Sequence, residues 1–218
     1  MPDEKEMVLL LTDRPSSGIA ADLDVLYPGR VKKVDFTAAA HGADVLGQHK
    51  FVVTAVHLGR NLPKLDYGAV TEFARGGGQV ISCLFEYAQN RGLHFNKAYV
   101  ADRVRPAMCI GVECDVTRGY AVGDQVWWYG SVSGAADTLY ANQMFQRQLM
   151  NVRESDGVRI LATSSLNGGA VMVEEKVGNG RIVALDLLSP VRPFFNSYGS
   201  TNKYLFLGNI VSQSVRYG

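Results

Sequence analysis

The chain has 218 residues, of which 47% are apolar and 20% charged, a balance that suits one α/β domain with a sizeable core and excludes disorder or a coiled coil. Its formal net charge is +1 and no run of like charges occurs, so neither nucleic acid nor an anionic membrane surface is an expected partner. No stretch approaches the roughly 20 apolar residues of a bilayer span, the acidic start Met1–Glu6 lacks the apolar region of a signal peptide, and three cysteines do not make a disulfide framework; a reducing cytoplasm is the expected location.

Met7 to Thr12 is a continuous apolar run, the pattern of a strand buried on both faces. It ends in the turn-rich Asp13-Arg14-Pro15-Ser16-Ser17-Gly18, from which Ser17 can cap a helix reaching about Leu26. Val31 to Phe36 reads as a second strand, Ala38 to Leu46 as a short helix, and Lys50 to Val56 as a third strand. Leu65, Ala69 and Phe73 recur every four residues and mark a helix over Leu65 to Arg75, with Gly76 as its C-terminal cap. Strand four follows at Gln79 to Cys83, and a helix or extended loop runs on through Asn90. Strands alternating with helices at this spacing predict βαβ units, a mostly parallel sheet and helices on both faces.

Past Asn90 the rhythm changes. Ala107 to Val116 and Gln125 to Val132 are β-like, which predicts a β-rich insertion near residues 100–135 that carries the aromatic cluster Trp127-Trp128-Tyr129. Ala141, Phe145 and Leu149 recur every four residues, so Asp137 to Leu149 is expected to be helical. Val158 to Ala162 resumes the strand pattern. Ala170 to Lys176 and Arg181 to Leu187 flank Val177-Gly178-Asn179-Gly180, and the Asn-Gly pair predicts a late β-hairpin. Lys203 to Val215 is amphipathic and closes the chain as a helix.

Two segments, Phe73-Ala74-Arg75-Gly76-Gly77-Gly78-Gln79-Val80-Ile81-Ser82 and Glu174-Glu175-Lys176-Val177-Gly178-Asn179-Gly180-Arg181-Ile182-Val183-Ala184-Leu185, carry a family likeness. They resemble the entry to the nucleophile position and the late hairpin of the class I glutamine amidotransferase-like superfamily, within it the trehalose-utilisation (ThuA-like) relatives. The resemblance implies a single three-layer α/β domain over residues 1–218, flavodoxin-like in architecture, with a small polar molecule, carbohydrate-related in kind, as its partner. It also implies a cysteine nucleophile after strand four, and it makes a homo-oligomer an expectation, because some relatives serve as oligomerisation domains. The family places glycines two residues either side of that cysteine and a histidine just after a late strand. Here Ile81 and Phe85 flank Cys83, and Leu188-Ser189-Pro190-Val191-Arg192 follows the late strand with no histidine.

Ligands of open α/β sheets collect beyond the carboxyl ends of the strands. Cys83 belongs at such an end, where a thiol can be activated at a helix N-terminus, and His57 and Glu86 are its nearest candidate helpers. These three form the candidate catalytic set, with simple packing as the alternative for Cys83. Asp13 and Arg14, after strand one, can hold a polar or anionic group, and Tyr87 lies one turn into the helix after Cys83. The long aromatic and polar loop after the late strand adds Ser189, Arg192, Asn196 and Tyr198 as ligand-orienting residues. Cys109 and Cys114, five apart, are poor joint metal ligands, and neither a metal nor another cofactor is expected. Two functions therefore stay open: a hydrolase or lyase on a polar compound, or a non-catalytic ligand-binding or oligomerisation domain that has lost the family's triad.

Overall fold

The computed structural model describes residues 8–99, 107–127, 145–154, 157–187 and 205–211. The first strand, β1 (Val8–Thr12), is buried along its whole length, as its unbroken apolar run requires. Parallel pairing places β2 (Val31–Asp35) on one side of it and β3 (Phe51–Ala55) on the other, and β4 (Gln79–Cys83) continues beyond β3. Helices α1 (Gly18–Leu26), α2 (Ala43–Leu46), α3 (Tyr67–Arg75) and α4 (Leu84–Arg91) supply the crossovers, and a short 3₁₀ turn (Gly59–Lys64) precedes α3. The helix expected from Leu65 starts at Tyr67 because the Asp66 carboxylate caps it by accepting from the Ala69 N–H.

The remaining strands are β5 (His94–Tyr99), β6 (Ala107–Ile110), β7 (Gln125–Trp127), β8 (Phe145–Met150), β9 (Val158–Ser164), β10 (Ala170–Val177) and β11 (Gly180–Leu185). The order across the main sheet is β2-β1-β3-β4-β11-β10-β9-β6-β7. Parallel pairing stops at β4–β11, and every later pairing among the described residues is antiparallel. The expectation of a mostly parallel sheet is thus corrected: the sheet is mixed, parallel in its first half and antiparallel in its second. β6 and β7 extend the edge of this sheet beyond β9.

Alternating side chains of the central strands feed two cores. Leu10, Val53, Ile81 and Val183 meet α1 and the helix at 205–211, through Leu23, Phe206 and Ile210. Leu9, Val52, Val80 and Ile182 meet α2, α3 and α4 on the other face. The part of the expected closing helix that is described, 205–211, is helical.

A second correction concerns Asp137 to Leu149. Residues 137–144 lie outside the described residues, but Phe145–Met150 is a strand, antiparallel to β5. A four-residue recurrence is a multiple of the two-residue strand period as well as one helical turn, so Phe145 and Leu149 share a face in either structure. β8 also pairs with β10 through Leu149 and Ala170. Since Ala170 pairs with Thr163 of β9 on its other side, β8 occupies the edge of β10 just past the end of β11.

The two glycine segments singled out in the sequence pack on each other. In the β10–β11 hairpin the corner residues are Gly178 and Asn179, one position earlier than the Asn-Gly pair predicts, and Gly178 has φ +57°. The Asn179 N–H donates to the Arg75 carbonyl at 3.2 Å, and the Arg181 N–H donates to the Gly78 carbonyl at 3.3 Å. A Cβ on Gly180 would lie 2.1 Å from the Gly78 oxygen and 2.3 Å from the Ala74 oxygen. Arg181 then ties the layers together, donating to Gln79 of β4 and ion-pairing with Glu174 (2.9 Å) and Asp115 (2.6 Å).

Gly180→Ala is expected to destabilise the fold by roughly 1–3 kcal/mol or more, because backbone rather than side chain must move. Gly208→Ala, on the helix at 205–211 with nothing within 4 Å of its Cβ position, is expected to stabilise it by about 0.5–1 kcal/mol. Urea unfolding of the two variants side by side measures both signs.

Candidate functional site

β1, β3, β4 and β11 are neighbours in the sheet and end at one edge, so their last residues and the turns that follow form a row. The best-ordered polar group in that row is built on Asp13, whose side chain is fully buried. Its Oδ1 accepts from the His57 backbone N–H at 2.8 Å, and its Oδ2 accepts from the Leu58 N–H at 2.9 Å and from Asn61 Nδ2 at 3.0 Å. The His57 ring completes the set, with Nδ1 at 3.1 Å from Asp13 Oδ1 and 3.3 Å from Thr12 Oγ1. The turn after β3 is thereby clamped to the turn after β1.

The electrostatics fix the tautomer. Burial raises the Asp13 pKa, but the hydrogen bonds from His57, Asn61 and Leu58 outweigh it and hold the carboxyl below its ordinary value. For His57, burial lowers the pKa most; the Asp13 hydrogen bond and charge oppose it, the Arg14 charge adds to it, and the net shift is downward. A neutral imidazole beside a carboxylate donates from Nδ1, which leaves the Nε2 lone pair as acceptor. The Ala55 backbone is a further hydrogen-bond partner of the ring, and the side chain retains 16% exposure. Arg14 is exposed, and its backbone N–H donates to Thr12 Oγ1 at 3.1 Å.

The structure divides the expected catalytic set between two places. Cys83 ends β4 with 2% exposure and an extended backbone, φ −68° and ψ 148°, and it joins the core on the α1 side. Its conformation is unstrained, unlike a sharp nucleophile elbow. Among the hydrogen bonds of the described residues, those of His57 run to Asp13, Thr12 and Ala55, and none to Cys83. Glu86 is fully buried on the other face, where it accepts from Thr54 Oγ1 at 3.1 Å and from the Cys83 N–H at 3.2 Å, closing a capping box on α4. Thr54 Oγ1 also lies 3.0 Å from Ser82 Oγ, which accepts from Tyr67 Oη at 3.1 Å. Tyr87 is buried in the same layer beneath the Arg91 guanidinium, which grips Glu175 of β10 with distances of 3.1 and 2.9 Å to its two oxygens. Ser189, Arg192, Asn196 and Tyr198 lie outside the described residues, as do Trp128 and Tyr129.

Sequence reasoning placed Asp13 and His57 on one edge but missed Thr12 and Asn61 as their orienting partners, and Thr54 as a partner of Glu86 with Ser82 and Tyr67 linked behind it. A hydroxyl at or near the last position of an otherwise apolar strand (Thr12, Thr54, Ser82) is the signal that was there to be used. Asn61 carries none, since only the 3₁₀ turn after His57 brings it back. No group of three or more His, Cys, Asp or Glu side chains suited to a metal occurs among the described residues. No helix among them is long and apolar enough to cross a membrane.

Glu86 makes a measurable statement about pH. Burial pushes its pKa up from 4.5 to about 8, against the smaller opposing effect of its hydrogen bonds. Between these values the unfolded chain has released a proton that the folded chain retains, so this group's contribution is full below about pH 4.5 and fades as pH rises towards 8. Relative to Glu86→Gln, which stays neutral, wild-type stability is expected to fall by up to about 1.4 kcal/mol per pH unit in that window. Urea titrations of both proteins across the window test this; parallel curves would refute it.

No protein-family model and no curated protein sequence matches the chain. Solved structures do. A carbohydrate deacetylase, Agd3, superposes with a TM-score of 0.62 at 9% identity over 96% of this chain and 32% of its own. A ThuA-like protein from Parabacteroides merdae gives 0.61 at 13% identity over 98% of this chain and 91% of its own. The cytoplasmic protein STM1381 from Salmonella typhimurium gives 0.58 at 14% identity over 95% and 98%. At such identities the likeness speaks for architecture alone, and what it establishes is an α/β chain with a ThuA-like fold.

Proposed function

We propose that this chain binds a polar, carbohydrate-related small molecule at the carboxyl edge of the parallel half-sheet, and that it acts on it as a hydrolase or lyase with His57 as general base. One observation carries the reading. Asp13, buried and ionised, orients through Nδ1 a partly exposed imidazole at a strand end. An enzyme base needs a defined tautomer, a lone pair open to substrate and a suitable pKa, and what supports that role here is the Asp13 contact to Nδ1 together with the downward shift of the imidazole. The substrate class in this proposal is taken from one of the chain's structural neighbours, a carbohydrate deacetylase. Cys83 frames the site as the N-cap of α4, and Arg14 adds a positive charge at its rim.

A second reading is favoured by a different observation. Cys83 sits where the fold's nucleophile would be, yet it is buried with relaxed backbone angles between Ile81 and Phe85. In that reading the chain is a non-catalytic ligand-binding or oligomerisation domain.

Incubating the protein with acetylated sugars, glycosides and sugar lactones, with products read by mass spectrometry, separates the two. Turnover is expected in the wild type and should fall about a hundredfold or more in His57→Gln. Its rate should rise with pH through an apparent pKa below 6.5 and then level off, because only the neutral imidazole accepts a proton. Sugar binding without turnover would hand the site to the second reading. Alkylation of the native protein gives an independent check: Cys83 should react more slowly than the partly exposed Cys109 and Cys114, and faster labelling would restore a thiol-centred mechanism.

A further inference from the structure

Gln148 is a fully buried side chain whose amide oxygen and nitrogen both lack a hydrogen-bond partner among the described residues. Burying an amide without partners is destabilising, so such groups are rare where nothing requires them. Its position is defined by β8, which pairs with the start of β10 through Leu149 and Ala170. Met172 of β10 is already opposite Leu185, the last residue of β11, and Leu185 is opposite Cys83, so Ala170 lies past the strand ends. Gln148 therefore stands at the same carboxyl edge as Asp13, His57 and Cys83, on the far side of β11.

The amide rests against Gly169. A Cβ there would come within 2.2 Å of Gln148 Oε1, 2.8 Å of its Cδ and 3.1 Å of Met150 Sδ, so the seat exists only because residue 169 is glycine. The polar groups of the adjoining turn pair among themselves rather than with the amide. The Gly169 carbonyl accepts from the Ser164 N–H at 2.7 Å, the Gly169 N–H donates to Asn167 Oδ1 at 3.1 Å, and the Gly168 N–H donates to the Ser164 carbonyl at 2.9 Å.

We infer that Gln148 is a specificity-determining residue of the carboxyl-edge site, its Oε1 and Nε2 reading a neighbouring pair of hydroxyls on a sugar. A primary amide offers an acceptor and two donors side by side, and a vicinal diol can supply both complements at once. This deepens the reading of a carbohydrate-related ligand and rests on it. Gln148 does not touch the reacting atoms in this account; it selects and seats the ligand.

Replacing a buried orphan amide by an apolar side chain of similar shape should stabilise the free protein, whereas replacing a structurally paired one should destabilise it. The test uses Gln148→Met with D-glucose, D-galactose and D-mannose as probes, each followed by chemical-shift titration. The variant is expected to unfold at a midpoint roughly 2–4 °C higher and to bind the preferred sugar about tenfold or more weakly. Gly169→Ala, which drives the amide off its seat, should weaken binding by a different route. Wild-type affinity in Gln148→Met, or a lowered midpoint, would overturn the inference while leaving the site itself standing. If none of the sugars binds the wild type, the inference and the carbohydrate reading fall together.

Discussion

The contact between the triple-glycine turn and the late hairpin is the constraint on which the rest of this structure depends. Helix α3 ends and β4 begins within the span of Gly76, Gly77 and Gly78, and the hairpin presses Gly180 against the Gly78 and Ala74 carbonyls. No side chain fits between those backbones. With the hairpin seated, β11 must run parallel to β4 and β10 must return antiparallel, so the change from parallel to antiparallel pairing is decided at this one place. Everything beyond β11 inherits its position from that reversal. The β9–β10 turn is thereby carried to the carboxyl edge, and β8 with Gln148 follows it there.

The ends of β3 and β4 feed two polar systems of opposite character. Beside His57 the carboxylate is ionised, since four hydrogen-bond donors repay its burial and the ring stays neutral. On the other face the carboxyl of Glu86 is fully buried, the lowering effect of its hydrogen bonds is smaller than the cost of that burial, and its pKa rises to about 8. Two carboxyls of one domain thus rest in different protonation states at neutral pH. The difference lies in burial, which the hydrogen bonds outweigh at Asp13 and do not outweigh at Glu86.

Much of this was open to reading in the residues. Buried parallel strands announce themselves as unbroken apolar runs, so β1, β3 and β4 fall within the runs Met7 to Thr12, Lys50 to Val56 and Gln79 to Cys83 that predict them. Asp13 and His57 could be assigned to one edge because each directly follows such a run. β8 was illegible because a recurrence of four residues cannot distinguish a strand face from a helical stripe. Glu86 misled for a related reason. Three residues after Cys83 is the spacing at which a carboxylate folds back onto the N-cap's own N–H, so proximity in sequence brought it to the backbone of Cys83 rather than to the thiol. Gln148 carried no signal at all, since only a contact with Gly169, twenty-one residues on, reveals what surrounds it.

These placements bear on where chemistry can reside in such a fold. A cysteine after β4 is useful as a nucleophile when the turn forces it outward and a base stands within reach. Ile81 packs in the same core as Cys83, and Phe85 packs edge-on against Phe95 of β5 and near Gly59, so both neighbours anchor the turn in a relaxed conformation with the sulfur inward. The base, meanwhile, is held by Asp13 two strands away in the sheet order, with its Nδ1 committed to that carboxylate rather than to the thiol. Reactivity at this edge then depends on the clamp between the turns after β1 and β3. Removing the Asp13 carboxylate would release Leu58 and Asn61 along with the imidazole, so the clamp and the base are one unit, and neither can be lost without the other.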